Sequence, residues 1–384
     1  MRILTIDSSP IRVLFLVTSL PVGGAETLLM NLVLRMDRKK FLPEIACLKE
    51  RGPIGDLLLN EIPVHSNMLT SKFDFRVLFR LWKLMRERQV DAIVTVGAGD
   101  KMFWGRLAAR LAGVKVVISA LHSTGWPDSI GRLNQLLTPL TDAFVGVAQA
   151  HTTHLVEKEG FPADKVHTIF NGVDTNRFRP GEKRAVREEL GLPFDAKVVA
   201  ILAALRPEKN HALFLEGAVE ILRAEPRAQF LVIGDGYLRE QLERKAETLG
   251  ISEVTHFLGS RSDVERVLQA VDVVALTSHN EASPVSILEA LSCGVPVVSA
   301  DVGSVGETVL DGITGRLFPS GDLHGFVSST LDLLGDDNLR SALGDTGRKR
   351  TMERWSLDSM VQGYETLICS LVERHRLPCR QLAS

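Results

Sequence analysis

Short apolar segments alternate with longer amphipathic segments along most of the chain. The apolar runs are RVLFLVTS, PEIACL, AIVTVG, VKVVISA and AFVGVA in the first half, and KVVAILAAL, AQFLVIGDG, VTHFLG, DVVALTS and VPVVSA in the second. Between them lie segments such as AETLLMNLVLRM, whose apolar residues recur at helical spacing. Continuously apolar strands joined by helices are typical of parallel sheets covered on both faces. Because the pattern occurs twice, the sequence predicts an α/β protein with two parallel-sheet domains.

A polar segment separates the two sets of strands. The run NGVDTNRFRPGEKRAVREELGLP carries turn residues and charge without a sustained apolar alternation, which is typical of a linker. We expect an N-terminal domain over residues 1–180, a C-terminal domain over 195–350, and a helix and tail over 351–384 that pack back towards the N-terminal domain. The carboxyl ends of the strands would then face each other across a cleft, where parallel sheets bind ligands.

Composition narrows the classes of function. A chain of 384 residues with 45% hydrophobic and 24% charged residues is long and apolar enough for two folded domains. A net charge of -2 gives no global reason to bind nucleic acid, so no nucleic-acid partner is expected. The four scattered cysteines fit a reducing compartment, and no apolar run has membrane-spanning length. A cytoplasmic location is expected, with contact at the inner membrane surface left open.

The segment HNEASPVSILEALSCG predicts a helix start that can bind an anion. Ser283 is a good N-cap and Pro284 suits the first helical position, so a helix is predicted from Pro284. Its first free amides, including those of Val285 and Ser286, point out of the helix with the positive end of the macrodipole. A phosphate group is the kind of ligand that this arrangement favours.

Glu281 and Glu289 lie on either side of that helix start. A fully helical path would separate them by about 12 Å, farther than the about 5 to 9.5 Å between the two carboxylates of a glycosidase. Two contacts on one elongated ligand fit better, because carboxylates are strong acceptors for paired hydroxyls. Each glutamate alone is more simply a solvated side chain, but Glu289 is flanked by apolar or small residues on every side. The pair therefore suggests one elongated ligand that consists of a sugar, a diphosphate and a ribose.

Two further segments offer contacts to phosphate. VTSLPVGGAETLL runs from a strand through Gly23 and Gly24 into a helix, where backbone amides can approach a phosphate. This segment lacks the spaced glycines of the dinucleotide-binding fingerprint and the Gly-Lys-Ser/Thr that ends a P-loop. A tight turn between strand and helix explains the two glycines equally well. LRPEKN places Arg206 and Lys209 after a strand, where cations would stabilise a leaving diphosphate. Taken alone, these two would be ordinary exposed loop charges.

Together these segments resemble family 4 of the retaining, nucleotide-sugar-dependent glycosyltransferases, which have the GT-B fold. EASPVSILEALSCGVPVV carries the Glu-x7-Glu element from Glu281 to Glu289, and RPEKN, VIGDG, NGVDTNRF, GGAE and DGITGRLF extend the match over most of the chain. The Glu-x7-Glu block is specific, whereas GGAE and VIGDG are weak singly. The resemblance implies two Rossmann-like domains and transfer of a hexose or hexosamine to an acceptor hydroxyl, in polysaccharide or glycolipid assembly.

The resemblance also implies roles for single residues. Glu289 would hold the ribose hydroxyls, Glu281 would lie beside the donor sugar, and His122 in SALHSTG matches the family's histidine near the transferred sugar. The implied catalytic residues are Glu281, His122, Arg206 and Lys209, and the implied donor-binding residues are Gly23, Gly24, Ser283, Val285, Ser286 and Glu289. No metal site is implied, and no cofactor beyond the nucleoside diphosphate sugar. The family commonly has an arginine where this chain has Ala204, which puts donor affinity in doubt.

Other functions and several details stay open at this point. A sugar-nucleotide epimerase on the same fold is one alternative, and Ala204 motivates another, a non-catalytic sugar-nucleotide-binding protein. A nicotinamide oxidoreductase is disfavoured because the spaced-glycine fingerprint is missing. Retention of configuration is compatible with same-face attack or with a covalent intermediate.

The acceptor is expected to be a sugar, a lipid-linked sugar or a polysaccharide. The segment FDFRVLFRLWKLMRERQ, Phe73 to Gln89, mixes basic and aromatic residues and suits the surface of an anionic membrane. A helix packed on the N-terminal sheet, with its basic residues in water, is the simpler explanation.

Overall fold

A computed structural model describes residues 9–71, 74–122 and 131–376, with the backbone alone for 131–133 and 376. Over these residues the chain divides into two units. The first comprises the chain up to Phe170 together with the segment from Asp358 onward, and the second runs from Asn171 to Leu357. Each unit has its own parallel sheet.

The first unit holds, among its described residues, a sheet of seven parallel strands. They are β1 (Ile11–Val17), β2 (Phe41–Cys47), β3 (Val64–His65), β4 (Ala92–Val96), β5 (Val116–Ala120), β6 (Ala143–Gly146) and β7 (Val166–Thr168). Its helices are α1 (Gly24–Arg35), α2 (Gly52–Leu58), α3 (Arg76–Glu87), α4 (Asp100–Ala112), α5 (Gly131–Leu136) and α6 (Gln149–Glu157). The strand order is β3-β2-β1-β4-β5-β6-β7. The order therefore reverses between β1 and β4, as in a Rossmann fold.

The second unit repeats this arrangement with six parallel strands in its described residues. The strands are β8 (Lys197–Leu202), β9 (Ala228–Ile233), β10 (Thr255–Gly259), β11 (Val273–Leu276), β12 (Val297–Ala300) and β13 (Gly315–Phe318). The helices are α7 (Lys183–Glu189), α8 (His211–Ala224), α9 (Arg239–Thr248), α10 (Val264–Leu268), α11 (Val285–Ser292), α12 (Val305–Thr308), α13 (Leu323–Gly335) and α14 (Asp337–Arg354). The order β10-β9-β8-β11-β12-β13 reverses between β8 and β11.

Burial explains why the strands are apolar along their whole length. In β1, Leu14, Phe15 and Leu16 are all completely buried, because helices cover both faces of the sheet. In the second unit, Phe214 of α8 and Phe326 of α13 pack in one core with residues of β8, β9 and β11. The prediction of two parallel-sheet, Rossmann-like domains is confirmed.

The last helix, α15 (Leu357–Arg376), belongs to the first unit from Asp358 onward. The backbone amide of Asp37, just after α1, donates to Glu365 Oε1 at 2.7 Å. Tyr364 is buried on the same helix. The prediction that the C-terminal helix packs back on the first unit is confirmed, while residues 377–384 of the predicted tail lie outside the described residues.

The sequence does not predict β3, β7 or β13. β3 and β7 have only two and three residues, and β13, with the sequence GRLF, contains a glycine and an arginine, so none of the three leaves a distinct apolar run. Among the described helices, none combines the length and the apolar character that crossing a membrane requires.

Candidate functional site

The point where the strand order reverses in the second unit gathers several of the predicted residues. The loop after β8 carries Arg206 and Lys209, and the loop after β11 carries Glu281. Parallel sheets bind ligands beyond the carboxyl ends of the strands at such a point, because the two flanking loops leave in opposite directions. Glu281 and Lys209 are therefore in the place that the fold itself makes available.

Hydrogen bonds hold these two loops together. The Thr277 hydroxyl donates to the carbonyl oxygens of Lys209, at 3.1 Å, and of Asn210, at 2.9 Å. The amide of His279 donates to the carbonyl oxygen of Glu208 at 2.9 Å. One side-chain hydroxyl and one backbone amide of the loop after β11 thereby fix the backbone of the loop after β8.

The carboxylate of Glu281 is buried and bound to two donors. Its Oε1 accepts from Lys209 Nζ at 2.6 Å and from the Ser278 hydroxyl at 2.6 Å. Within the described chain, Oε2 accepts no hydrogen bond. Charge-assisted hydrogen bonds of this length are strong, so the side chain is held in one orientation with one oxygen left over.

The loop after β12 braces the backbone of Glu281. Gly303 has φ +57°, and a Cβ atom there would lie 1.7 Å from the carbonyl oxygen of Glu281. The amide of Ser304 donates to that same oxygen at 3.3 Å, and its hydroxyl donates to the carbonyl oxygen of Ala282. Only glycine fits this approach. Neither residue was predicted as part of the site, although a glycine between a strand and a helix was the available clue.

Helix α11 begins one residue later than predicted. Pro284 is the N-cap, with ψ 117°, and the first helical residue is Val285, so the assignment of Ser283 as N-cap is wrong. A proline fixes φ but leaves ψ free, and the Ser283 carbonyl is held by Asn171 Nδ2 at 3.0 Å. No side chain caps the helix. The amides of Val285 and Ser286 in its first turn thus remain available to an anion.

Glu289 lies in the same helix, half-buried between buried apolar neighbours. Burial, as the largest cause, and the charge of Glu265 raise its pKa to about 7 against the opposing charge of Arg177. Arg177 itself donates to Glu265 at 2.8 Å. Among the described residues no group donates a hydrogen bond to Glu289. Its carboxyl group is therefore an unoccupied acceptor, as a contact to ligand hydroxyls requires.

Arg206 is exposed, and its guanidinium makes no hydrogen bond or ion pair within the described residues. Two residues earlier, Ala204 occupies the position where an arginine is expected. The backbone there is tightly covered, because a Cβ atom on Gly234 would lie 2.1 Å from the carbonyl oxygen of Ala203. Of the described cationic side chains without an ion-pair partner, Arg206 is thus the nearest in sequence to Ala204.

Gly23 and Gly24 lie in the first unit, where α1 begins after β1. Gly23 is the N-cap, with extended backbone that any residue adopts, and no side chain caps the helix. A Cβ atom on Gly23 would meet the carboxylate oxygen of Glu26 at 2.5 Å. The carboxylate of Glu26 therefore lies beside the start of α1, where a side chain at position 23 would meet it.

His122 follows β5 in the first unit and is half-buried. Burial, with a smaller contribution from the positive charges of His151 and Lys101, lowers its pKa to about 4. The imidazole is therefore neutral at physiological pH and can accept or donate a hydrogen bond. The roles of His122, the two glycines and the second-unit residues at a ligand stay predictions.

Metal ligands do not cluster in the described residues. Nowhere among them do three His, Cys, Asp or Glu side chains gather as a metal site would require.

Two family models match the chain. The model described as Glycosyl transferases group 1 matches residues 182–350, and that described as Glycosyltransferase Family 4 matches residues 22–177. The second of these matches covers β2 to β7 of the first sheet, and the first covers all six strands described in the second sheet.

The chain is similar to curated enzymes. It is 26% identical over 358 residues to the UDP-Gal:alpha-D-GlcNAc-diphosphoundecaprenol alpha-1,3-galactosyltransferase of Escherichia coli, covering 88% of this chain and 91% of that one. It is 30% identical over 294 residues to the GDP-mannose-dependent alpha-(1-6)-phosphatidylinositol monomannoside mannosyltransferase of Mycolicibacterium smegmatis, covering 73% and 76%. Among solved structures, Anabaena HepE in complex with UDP and glucose superposes with TM-score 0.82 at 23% identity, covering 94% of this chain and 100% of HepE.

Proposed function

Because this chain belongs to family 4 of the glycosyltransferases, with the GT-B fold, we propose that it moves a hexose or hexosamine from a nucleoside diphosphate sugar to an acceptor hydroxyl with retained configuration. The two family models together match most of the chain. The protein is a transferase, and nothing supports the epimerase or the non-catalytic binder. In the reaction the bond from the anomeric carbon to the phosphate oxygen breaks. The acceptor oxygen bonds to the same carbon and loses its proton as the nucleoside diphosphate leaves.

The ion pair of Lys209 and Glu281 at the end of β8 and β11 is the observation that carries this proposal. A buried carboxylate with one unoccupied oxygen suits the hydroxyls of a donor sugar, and the ammonium group beside it suits the diphosphate. The uncapped start of α11 adds amides to the same phosphate contact. Fixed donors of this kind stabilise the charge that develops on the leaving group. Glu289, one turn into the helix, would accept the ribose hydroxyls.

Arg206, together with Lys209, provides the positive charge for the diphosphate. We infer that donor and acceptor suffice and that no metal ion or further cofactor takes part. The test is the transfer rate after exhaustive chelation with EDTA, which we expect to be unchanged. A rate that falls with chelation and returns with a divalent cation would overturn this part of the proposal.

A uridine diphosphate sugar is the proposed donor. The Escherichia coli relative uses UDP-Gal, as its name states, and the superposed HepE structure holds UDP. The test is thermal unfolding of the protein with UDP, GDP, ADP and their hexose derivatives. UDP and a UDP-hexose are expected to raise the unfolding temperature most, because a ligand that binds only the folded state stabilises it. A larger shift with GDP or ADP would contradict this assignment.

The proposed acceptor is a lipid-linked sugar reached at a membrane surface. The exposed face of α3 carries Phe75 and Phe79, which are 70% and 61% exposed, beside the exposed cations Arg76, Lys83 and Arg86. The opposite face of α3, with Val77, Leu81 and Leu84, is buried in the sheet core. Aromatic rings flanked by cations are suited to anionic lipid headgroups. Phe73, included in the predicted surface helix, lies outside the described residues.

Co-sedimentation with phosphatidylglycerol vesicles tests this contact. The wild-type chain is expected to bind, and the double variant Phe75→Ser, Phe79→Ser is expected to stay in the supernatant. Leu57→Ser is the control, because Leu57 is equally exposed, at 69%, but lies on α2. Equal binding of all three proteins would remove the support for a membrane-facing α3.

A further inference from the structure

Ser278 donates to the same carboxylate oxygen that Lys209 contacts. Its hydroxyl lies 2.6 Å from Glu281 Oε1, and Lys209 Nζ lies 2.6 Å from that atom. The Ser278 side chain is completely buried, whereas that of Lys209 is 23% exposed. One oxygen of Glu281 thus has one fixed donor and one donor on a flexible stem.

Resting on the proposed function, we propose that Ser278 is a positioning residue that holds the Glu281 carboxylate while Lys209 turns to the diphosphate of the donor. A diphosphate carries more negative charge than one carboxylate, so it draws the ammonium group towards itself. Within the described residues, the Ser278 hydroxyl is then the remaining donor to the Glu281 side chain. It keeps Oε1 satisfied and Oε2 directed at the sugar.

The local structure makes Ser278 suited to this role. It lies two residues after the end of β11, between Thr277 and His279, both of which donate hydrogen bonds to the loop after β8. A serine has one rotatable bond before its hydroxyl, so the hydrogen bond costs little conformational entropy. Lys209, with its four-carbon stem, has the reach and the exposure to exchange partners. Removing Ser278 would leave a buried carboxylate short of a donor at the moment when its orientation matters.

The first test is the steady-state kinetics of Ser278→Ala. We expect kcat to fall about 10- to 100-fold, because a hydrogen bond to a charged group contributes that much to a rate, and the donor KM to change less than about threefold. Ser299→Ala is the matched control, since Ser299 is also a completely buried serine at a strand of the same sheet but bonds only the carbonyl oxygen of Ala300. A Ser278→Ala variant as active as Ser299→Ala would overturn the proposal.

The second test asks whether Ser278 acts through Glu281. In a Glu281→Ala background, Ser278→Ala is expected to cause no further loss of kcat, because the side chain that Ser278 positions is gone. An equal fold-decrease in kcat in both backgrounds would show an independent structural effect of Ser278 and would overturn the proposal.

If Ser278→Ala does not fold, Ser278→Cys replaces it, because cysteine keeps the side-chain volume and is a weaker hydrogen-bond donor. Its kcat is expected about tenfold below wild type, and a wild-type value overturns the proposal. If the wild-type chain and Ser299→Ala both fail to transfer sugar, the proposed function itself fails.

Discussion

Lys209 Nζ lies 2.6 Å from Glu281 Oε1, although 72 positions separate the two residues in the chain. The parallel sheet makes this contact possible, because β8 and β11 are neighbours at the point where the strand order reverses. In the absence of a ligand, each charge satisfies the other. A donor diphosphate that takes over Lys209 leaves the buried Glu281 carboxylate with the Ser278 hydroxyl and the hydroxyls of the sugar as its hydrogen-bond donors.

Gly303→Ala is expected to damage both stability and transfer. A Cβ atom at this position would lie 1.7 Å from the Glu281 carbonyl oxygen, so the loop after β11 has to move. We expect kcat to fall at least about tenfold, since an ångström of misplacement at a site has a cost of this order. Gly321→Ala is the control, because Gly321 also has positive φ, +82°, but nothing lies within 4 Å of its added Cβ. Equal activity of the two variants would contradict the bracing role of Gly303.

The titration of Glu289 is expected to appear in the pH dependence of stability. Burial raises its pKa to about 7 from the ordinary 4.5. Over that interval the folded chain holds a proton that the unfolded chain releases, so the free energy of unfolding contributed by this group falls as pH rises from about 4.5 to 7. Glu289→Gln removes the group. Unfolding in urea at several pH values should show a flatter dependence for the variant than for the wild type, and parallel curves would refute the assignment.

Asp272 is expected to be a main electrostatic determinant of the second unit's stability. It is buried and accepts hydrogen bonds from Lys183 and Arg187, each at 2.7 Å. Burial alone would raise its pKa, but these cations hold the pKa below the ordinary value. Asp272→Asn should lower the free energy of unfolding by about 3 kcal/mol, because it leaves the buried guanidinium of Arg187 without its counter-charge.

Asp337→Asn serves as the control for this variant. Asp337 also pairs with two cations, Lys197 and Arg340, but its side chain is 72% exposed. Exposed pairs contribute less than about 1 kcal/mol. Denaturant unfolding that shows equal losses for both variants would contradict the importance of burial here.

The fold was largely predictable because its strands are buried on both faces. The longer strands such as β1 and β8 leave unbroken apolar runs, and two sets of them on either side of a polar linker indicate two domains. β3, at Val64–His65, leaves no such run, because two residues do not form a pattern.

The charged residues of the candidate site were predictable from the sequence, whereas the residues that hold them in place were less so. Glu281 and Glu289 stand out through their spacing around a helix start. That the amide of Asn171 holds the Ser283 carbonyl, 112 positions away, depends on tertiary packing. The prediction placed the start of α11 at Pro284 for the same reason. The local sequence preferences around Pro284 do not include the hydrogen bond that Asn171 donates to the preceding residue.

The affinity of UDP for the wild-type chain, for Lys209→Gln and for Lys245→Gln, measured by isothermal titration calorimetry, tests the central claim most directly. Lys245 is the matched control, because it also forms a 2.6 Å ion pair, with Glu216, in the same unit. We predict that UDP binds Lys209→Gln at least about tenfold more weakly than wild type, as the loss of a charge-assisted hydrogen bond requires. Lys245→Gln should bind as wild type does. Equal UDP affinity for all three proteins would contradict the claim that Lys209 and Glu281 mark the donor site.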